Sequence, residues 1–456
     1  MTANITTQRR TGRALSLLRA GTALALAGAL GACGVLGGND GPKVTPTVGD
    51  RVPVLSRIET GAKVDPGLQS VSVVLPPAEA NAEWAQAGGN AGKANGHLAL
   101  SENPSPAWTA SIAGSTNRRR LAAAPVVGGN TLFAVDTSGV VHALDAQSGA
   151  RRWTFRMKFE DNQETSAFGG GVSYAGGRVF ATSGVGEVVA LDAQTGEEIW
   201  TTKPAGPLRG APTIAFNAIY VMTQDNQIHA LNAADGKLLW DESGSTAQAG
   251  VFGVAAPAAG QGTVVAGYSS GELVAYRYEN GRTLWSDALA LTSISTTVGS
   301  LYDIDADPII SQGRVYALGQ GGRMAAYELV TGQRLWELNV AGISTPAIAG
   351  EWIFALTDDA RLLAIARATG KVRWITQLQR FKDEKDKEGP IFWTGPVLAG
   401  NALWVASTRG AIYKISPGEG SATLYRDLGQ PVSLPPIVAN NTLYVLDDSG
   451  TIHAFR

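Results

Sequence analysis

The sequence predicts an all-β protein, an eight-bladed β-propeller of four-stranded antiparallel blades whose ring is closed by an N-terminal strand. Three observations predict this fold. An apolar strand recurs about every 44 residues, each repeat carries a glycine turn and then an aromatic residue, and the last repeat ends early. The composition agrees, because 56 glycines in 456 residues and only 17% charged residues are typical of many short strands joined by tight turns.

The recurring strand is apolar at successive positions. A sheet with one face in water would alternate apolar and polar residues, so each of these strands must be covered on both faces. Blades stacked around an axis provide that cover. The second residues of the eight copies are Phe133, Phe180, Tyr220, Val265, Tyr316, Phe354, Trp404 and Tyr444.

Each repeat continues into another strand and a hairpin turn that contains glycine, which supplies the positive φ that such turns need. One large aromatic residue per repeat follows the turn. We expect these side chains to fill the gap between adjacent blades. They are Trp108, Trp153, Trp200, Trp240, Trp285, Trp336, Trp374 and Tyr425.

The eighth repeat stops at Thr451–Arg456, before its own glycine turn and aromatic residue. The missing strand is found near the other end, in Pro106–Ile112, where Trp108 precedes Trp153 by one repeat. We expect this strand to complete the last blade and to remove the exposed sheet edges. The propeller is therefore assigned to residues 81–456.

The N-terminus predicts export and a lipid anchor. A basic stretch precedes the apolar run Ala20–Ala32, which is too short to span a bilayer. The sequence Leu30-Gly31-Ala32-Cys33 resembles the bacterial lipobox. Residues 1–32 are thus predicted to be a signal peptide and Cys33 the lipidated residue, with an ordinary secretory peptide as the alternative.

Residues 33–80 are predicted to be a tether, because they start rich in glycine and proline and show no sustained period. Gly34 stands where an aspartate would retain a lipoprotein at the inner membrane in enteric bacteria, so sorting to the outer membrane is favoured. The pair Arg9-Arg10 leaves open whether export uses the general or the twin-arginine route.

Charge and cysteine content exclude several functions. Four of the 37 basic residues and none of the 39 acidic residues lie in the first 32 positions, so the rest carries a formal charge of −6. Without a Lys/Arg cluster, this surface does not predict nucleic-acid binding. Cys33 is the only cysteine, and once acylated it leaves no thiol for a disulfide, a thiolate metal site or a nucleophile.

Three of the four histidines, His142, His229 and His453, suggest a metal site at first. They share one repeat position, which other blades fill with residues such as valine, leucine or tyrosine, and side chains on separate blades converge only at the axis. A structural role is favoured and no metal is predicted. His97 lies in a glycine-rich segment and has no assigned role.

The repeat motif Ala-x-Asp-x-x-Thr-Gly-x-x-x-Trp, as in residues 190–200, resembles the pyrroloquinoline-quinone (PQQ)-type propeller repeat and recurs in register over residues 84–456. Proteins with this repeat are quinoprotein dehydrogenases or cofactor-free propellers that bind proteins. In the dehydrogenases an adjacent-cysteine disulfide stacks on the cofactor, with Ca²⁺ and an aspartate base at the axis. Cys33 alone cannot form that disulfide, so we expect no cofactor, no catalytic residue and a protein-binding function.

The lipobox, the tether and the eight repeats together are similar to the BamB family, the lipoprotein subunits of the outer-membrane β-barrel assembly (BAM) machinery. Two segments match family motifs, Leu208-Arg209 and Asp303-x-Asp305. The resemblance implies that both lie on inter-blade connections of one face and contact the periplasmic POTRA domains of BamA. The family has an apolar residue where this chain has Gly206.

We expect these four side chains to be exposed, with Leu208 as an apolar anchor and the charged residues pairing with the partner. The alternative is that Arg209, Asp303 and Asp305 satisfy loop backbone groups or pair with each other. The resemblance further implies binding to other BAM subunits, and it leaves open whether unfolded outer-membrane proteins also bind directly. It places the chain at the periplasmic face of the bacterial outer membrane, held by its lipid.

The run Lys382–Glu388 is nearly charge-balanced and falls between two blades. A solvated loop is favoured, and a contact surface is the alternative.

Overall fold

A computed structural model describes residues 61–159, 163, 169–208, 210–245, 255–289 and 303–456. Its strands form eight four-stranded antiparallel sheets and one small hairpin. The first strands of most neighbouring sheets contact one another, so they surround a common axis and the sheets are the blades of a propeller. The predicted eight-bladed all-β fold is confirmed. The predicted signal peptide and Cys33 lie outside the described residues.

The first strand, β1 (Pro106–Ser111), belongs to the last blade, and the next sixteen strands form blades 1 to 4 in chain order, each from the inner to the outer edge. Blade 1 is β2 (Val126–Gly128), β3 (Thr131–Val135), β4 (Val140–Asp145) and β5 (Arg151–Arg156); blade 2 is β6 (Val172–Ala175), β7 (Arg178–Thr182), β8 (Val188–Asp192) and β9 (Glu198–Thr202); blade 3 is β10 (Thr213–Ala215), β11 (Ala218–Met222), β12 (Gln227–Asn232) and β13 (Leu238–Ser243); blade 4 is β14 (Ala258–Gly260), β15 (Thr263–Gly267), β16 (Glu272–Arg277) and β17 (Thr283–Ala288).

Blades 5 to 8 follow, with a hairpin between blades 6 and 7. Blade 5 is β18 (Ile309–Ser311), β19 (Arg314–Gly319), β20 (Arg323–Glu328) and β21 (Arg334–Leu338); blade 6 is β22 (Ala347–Ala349), β23 (Trp352–Leu356), β24 (Arg361–Ala366) and β25 (Val372–Gln377); the hairpin is β26 (Phe381–Asp383) and β27 (Glu388–Pro390); blade 7 is β28 (Trp393–Ala399), β29 (Ala402–Ser407), β30 (Ala411–Ile415) and β31 (Ala422–Asp427); blade 8 is β32 (Ile437–Ala439), β33 (Thr442–Leu446), β34 (Thr451–Phe455) and β1.

The ring closes where the sequence predicts. Strand β1 pairs antiparallel with β34, and Trp108 lies opposite Ala454. The last blade therefore combines residues from both ends of the propeller. Strand β1 is its fourth strand and lies next to β34.

Each outer strand is joined to the next blade by its aromatic residue. Gly196 shows why glycine follows the turn: its φ is +75°, and a Cβ there would lie 2.6 Å from the Trp153 ring. At seven joints the indole Nε1 donates a hydrogen bond to a backbone carbonyl of the next blade. The pairs are Trp108–Ala146, Trp153–Ala193, Trp200–Ala233, Trp240–Tyr278, Trp285–Leu329, Trp336–Arg367 and Trp374–Pro417.

Tyr425 takes the eighth joint, between blades 7 and 8. Its hydroxyl donates to the carbonyl of Pro104, just before β1, so this joint uses a residue from the N-terminal side of the propeller.

Antiparallel strands give the ring two different faces. The turns between first and second strands, and between third and fourth strands, lie on one face, here called the turn face. The blade-to-blade connections lie on the other, the connection face, which includes residues 112–125, 339–346, 378–392 and 428–436.

Residues 61–80, the last part of the predicted tether, lie along the ring. Val64 forms a parallel bridge with Val372 in β25, Asp65 pairs with Lys371 at 2.9 Å, and a short 3-10 helix spans Pro66–Leu68. The described part of the predicted tether thus already contacts the ring before residue 81. Among the described residues, no helix has the length and apolar character to cross a membrane.

Candidate functional site

Leu208 lies in the connection between β9 and β10, on the connection face, and is fully buried. It forms an antiparallel bridge with Thr223 and packs with Phe180 and Ile214 of blades 2 and 3. The amide of Gln224 also donates to the carbonyl of Pro207 at 2.8 Å. This side chain holds the connection against the ring.

Asp303 and Asp305 lie in the connection between β17 and β18, on the same face, and are 1% and 7% exposed. The carbonyl of Asp303 accepts from the amide of Gln320 at 2.9 Å, and the amide of Ile304 donates to the carbonyl of Tyr268 at 3.2 Å. Neither aspartate is without an interaction partner.

The expectation that these side chains are exposed is wrong for Leu208, Asp303 and Asp305. The reason is that each connection returns from the outer edge to the axis, and on the way it lies between the strand turns of two neighbouring blades. Hydrogen bonds to those turns draw the connection inward. Arg209 lies outside the described residues. The partner-binding role of all four residues stays a prediction.

The turn-face end of the central channel is closed by residues 84–98, a feature that the sequence analysis missed. Their backbone bonds to the inner strands of five blades, and the Gln86 side chain bonds both backbone groups of Ile214 in a sixth, at 2.8 and 2.9 Å. The backbone pairs are Trp84–Val127, Ala85–Tyr174, Ala91–Ala259, Gly92–Ile310 and Leu98–Leu398. We call this segment the floor. Its glycine density was the one available sign, since glycine permits such close backbone approach.

His97 fixes the end of the floor. Its Nε2 accepts from the amide of Asn401 at 3.2 Å, so Nδ1 carries the hydrogen and donates to the carbonyl of Pro76 at 2.9 Å. The histidine without an assigned role therefore joins the floor, the segment before it and blade 7.

Above the floor, the channel encloses a cavity of about 400 Å³ that opens on the connection face. Most of its lining is apolar, with Trp84 and Leu98 from the floor and Trp393, Val397 and Leu434 from blades 7 and 8. Its polar lining includes Lys93, Asp305 and Asp307. We call this cavity the central chamber.

Lys93 and Asp307 are buried charges of opposite sign. The Lys93 ammonium donates to the carbonyl of Ala87 at 2.8 Å and to Oγ1 of Thr213 at 3.0 Å. Burial lowers the pKa of Lys93 to about 8, and the negative charge of Asp307 opposes that shift. Burial likewise raises the pKa of Asp307, whose Oδ1 accepts from the amide of Ala256 at 2.7 Å.

Two large apolar side chains lie exposed at the mouth of the chamber. Phe392 is 63% and Ile343 is 50% exposed, and both line the cavity. The charged run Lys382–Glu388 lies in the hairpin β26–β27, which ends two residues before Phe392, and every residue of the run is exposed. The predicted solvated loop thus has a defined strand pairing, and its role as a contact surface stays a prediction.

The three repeat-position histidines bond within their own blades. His142 Nε2 lies 2.8 Å from Asp136, His453 Nε2 lies 2.9 Å from Asp447, and His229 Nε2 lies 3.2 Å from Gln227. Within the described ranges, no group of three or more histidine, cysteine, aspartate or glutamate residues is placed to hold a metal ion.

A family model described as outer membrane protein assembly factor BamB matches residues 94–163 and 137–376. The outer membrane protein assembly factor BamB of Yersinia pestis is 25% identical over 358 residues, which cover 77% of this chain and 89% of that protein.

Two solved structures share the fold. BamB from Moraxella catarrhalis matches with a TM-score of 0.64 at 20% identity, over 77% of this chain and 99% of that one. Quinohemoprotein alcohol dehydrogenase from Comamonas testosteroni matches with a TM-score of 0.67 at 14% identity, over 83% of this chain and 81% of that one. The likeness in shape therefore does not separate a binding protein from an enzyme.

Proposed function

The chain belongs to the BamB family of outer membrane protein assembly factors, and we propose that it is a non-catalytic accessory subunit of the machinery that assembles β-barrel proteins in the outer membrane. The family match supports this proposal, because it spans more than half of the chain. It also separates the assembly factors from the quinoprotein dehydrogenases, which the shared fold does not do. The match to relatives named as assembly factors covers most of the length of those relatives.

We propose that the protein is held at the periplasmic face of the outer membrane by a lipid on Cys33. The lipobox Leu30–Cys33 supports this anchor. The Cys33→Ser protein should no longer incorporate labelled fatty acid. Continued incorporation in that variant would show that the anchor lies elsewhere.

We assign the contact with the BamA POTRA domains to the connection face, around residues 207–210 and 303–307. Both segments lie on that face, and they match the family's motifs in a chain whose family is established. Because Leu208 is buried, its part is to hold the connection in place. Arg209 then supplies a charged group that pairs with the partner. Asp303 and Asp305, which are 1% and 7% exposed, hold the second connection in place as Leu208 holds the first.

A charge reversal tests this contact. Arg209→Glu should weaken capture of the barrel-assembly subunits from solubilised membranes by an order of magnitude or more, since it adds repulsion to the loss of pairing. The matched control is Arg282→Glu, which reverses an exposed arginine beside a turn-face turn. Equal capture by both variants, at equal melting temperatures, would remove Arg209 from the contact.

The alternative function, a PQQ-dependent dehydrogenase, draws only on the shared propeller. With Cys33 as the only cysteine, the chain cannot form the adjacent-cysteine disulfide that stacks on the quinone. Protein supplied with PQQ and Ca²⁺ should therefore give no alcohol-dependent dye reduction. Dye reduction above that given by the free cofactor would support the dehydrogenase hypothesis.

A further inference from the structure

The central chamber has the form of a binding site. It is closed at one end by the floor and open on the connection face, and its volume of about 400 Å³ falls within the range of ligand pockets. Its walls are mostly apolar, with a few buried polar groups. That combination is typical of sites that take an apolar group and orient it through hydrogen bonds.

The mouth of the chamber indicates that its occupant is longer than the chamber itself. Phe392 and Ile343 remain 63% and 50% exposed, so the apolar surface continues from the cavity onto the outer rim. A small molecule inside the cavity would leave both side chains in water. A chain that enters the cavity and runs out over the rim would cover them.

The charges in the chamber favour a neutral occupant. Lys93 and Asp307 are opposite in sign and both buried. Arg120 and Asp305 add a second pair of opposite charges to the lining, and the hairpin that ends just before Phe392 is nearly charge-balanced. Among the described residues, Lys93 has two hydrogen-bond acceptors, so one of its three ammonium hydrogens is left for a further acceptor. The backbone carbonyl of a polypeptide is such an acceptor and carries no net charge.

We propose that the central chamber binds an extended, uncharged polypeptide segment, inserting one aromatic or aliphatic side chain between Trp393 and the floor and covering Phe392 and Ile343 with the next residues. This assignment rests on the proposed function, which makes unfolded outer-membrane polypeptides the available partner. The chamber lies at the centre of the connection face and shares Asp305 and Asp307 with the proposed contact at residues 303–307, whereas residues 207–210 lie between two blades.

Photo-crosslinking tests the proposal directly. The probe is an acetylated and amidated peptide of alternating phenylalanine and threonine residues, which has no charge. Full-length protein with Phe392→p-benzoylphenylalanine should crosslink to this peptide. The matched control is Leu424→p-benzoylphenylalanine, at a residue that is 52% exposed on β31, and it should not crosslink.

Two sets of variants measure the chamber's share in binding. Ser344→Trp fills the mouth and should abolish crosslinking at residue 392, while the double change Phe392→Ala with Ile343→Ala should weaken peptide binding about tenfold, as expected for two interface side chains. Binding that survives both changes would overturn the proposal. Should the tryptophan variant fail to fold, the rim variant decides, because it alters only exposed side chains.

The same variants separate this proposal from the assembly function. Capture of barrel-assembly subunits should be unchanged by the rim substitutions. Peptide crosslinking without capture of those subunits would contradict the assembly function and leave the chamber as a peptide site. Capture of the subunits without any crosslinking at residue 392 would support the assembly function and contradict the peptide site in the chamber.

Discussion

The outer joints and the axis of this ring are built in opposite ways. Seven of the eight joints repeat one contact, an indole Nε1 that donates to a backbone carbonyl of the next blade. The axis is closed once, by the floor, residues 84–98, which belongs to no blade. The repeated contacts stabilise the ring. The floor contributes the buried Lys93 to the centre and closes one end of the central chamber.

The largest effect should come from opening the ring. Deleting residues 104–114 removes β1 and leaves β34 as an unpaired edge, so unfolding should lose its cooperativity and the protein should aggregate. Calorimetry against the intact chain measures this. The control replaces the exposed hairpin residues 381–390 with a short glycine-serine linker, and it should melt nearly as the intact protein does. An equally sharp melt after loss of β1 would contradict the closure.

Loss of one joint should cost less than loss of closure. Trp240 is 7% exposed and donates to the carbonyl of Tyr278 at 2.8 Å, so Trp240→Ala should lower the free energy of unfolding by about 3–5 kcal/mol. The neighbouring change Leu239→Ala, at a residue 51% exposed, is the control. Urea titration of both variants checks the difference, and similar losses would mean that the joint contributes no more than the exposed edge.

Leu208→Ala sharpens the comparison on the connection face. Because Leu208 is fully buried between blades 2 and 3, its truncation should cost about 2–4 kcal/mol of stability. Leu238→Ala, at a residue 52% exposed, should cost far less. A negligible loss for Leu208→Ala would restore the expectation of an exposed anchor.

The smallest effect should be a pH dependence of the floor. The folded pKa of Lys93, about 8, lies below its unfolded value near 10.5, so between these values the unfolded chain holds more protons. Stability should therefore rise with pH across that window, on the order of 1 kcal/mol per pH unit. The rise is absent in Lys93→Met, and comparing the two proteins at pH 7, 8, 9 and 10 isolates it from other groups. If the difference in the free energy of unfolding between the two proteins did not change with pH, the burial of a charged Lys93 would be contradicted.

The ring was predictable because its information is repeated. Eight aromatic residues in register, glycine turns and a split last repeat indicate the same architecture independently. The floor carries no period, and its contacts are mostly backbone hydrogen bonds, which residue identity scarcely encodes. Burial of Leu208 and Asp303 was missed for a related reason: single residues in a connection have no neighbours in register whose pattern could show which way they face.

The pairing of β1 with β34 also affects the order in which the ring can form. The chain is synthesised from its N-terminus, so β1 and the floor are made before any blade exists to receive them. Blade 8 can be completed only when residues 451–455 arrive, more than 300 residues later in the sequence. Such long-range pairing forms slowly. A chain that is interrupted anywhere between these two strands lacks one of them and cannot close its ring.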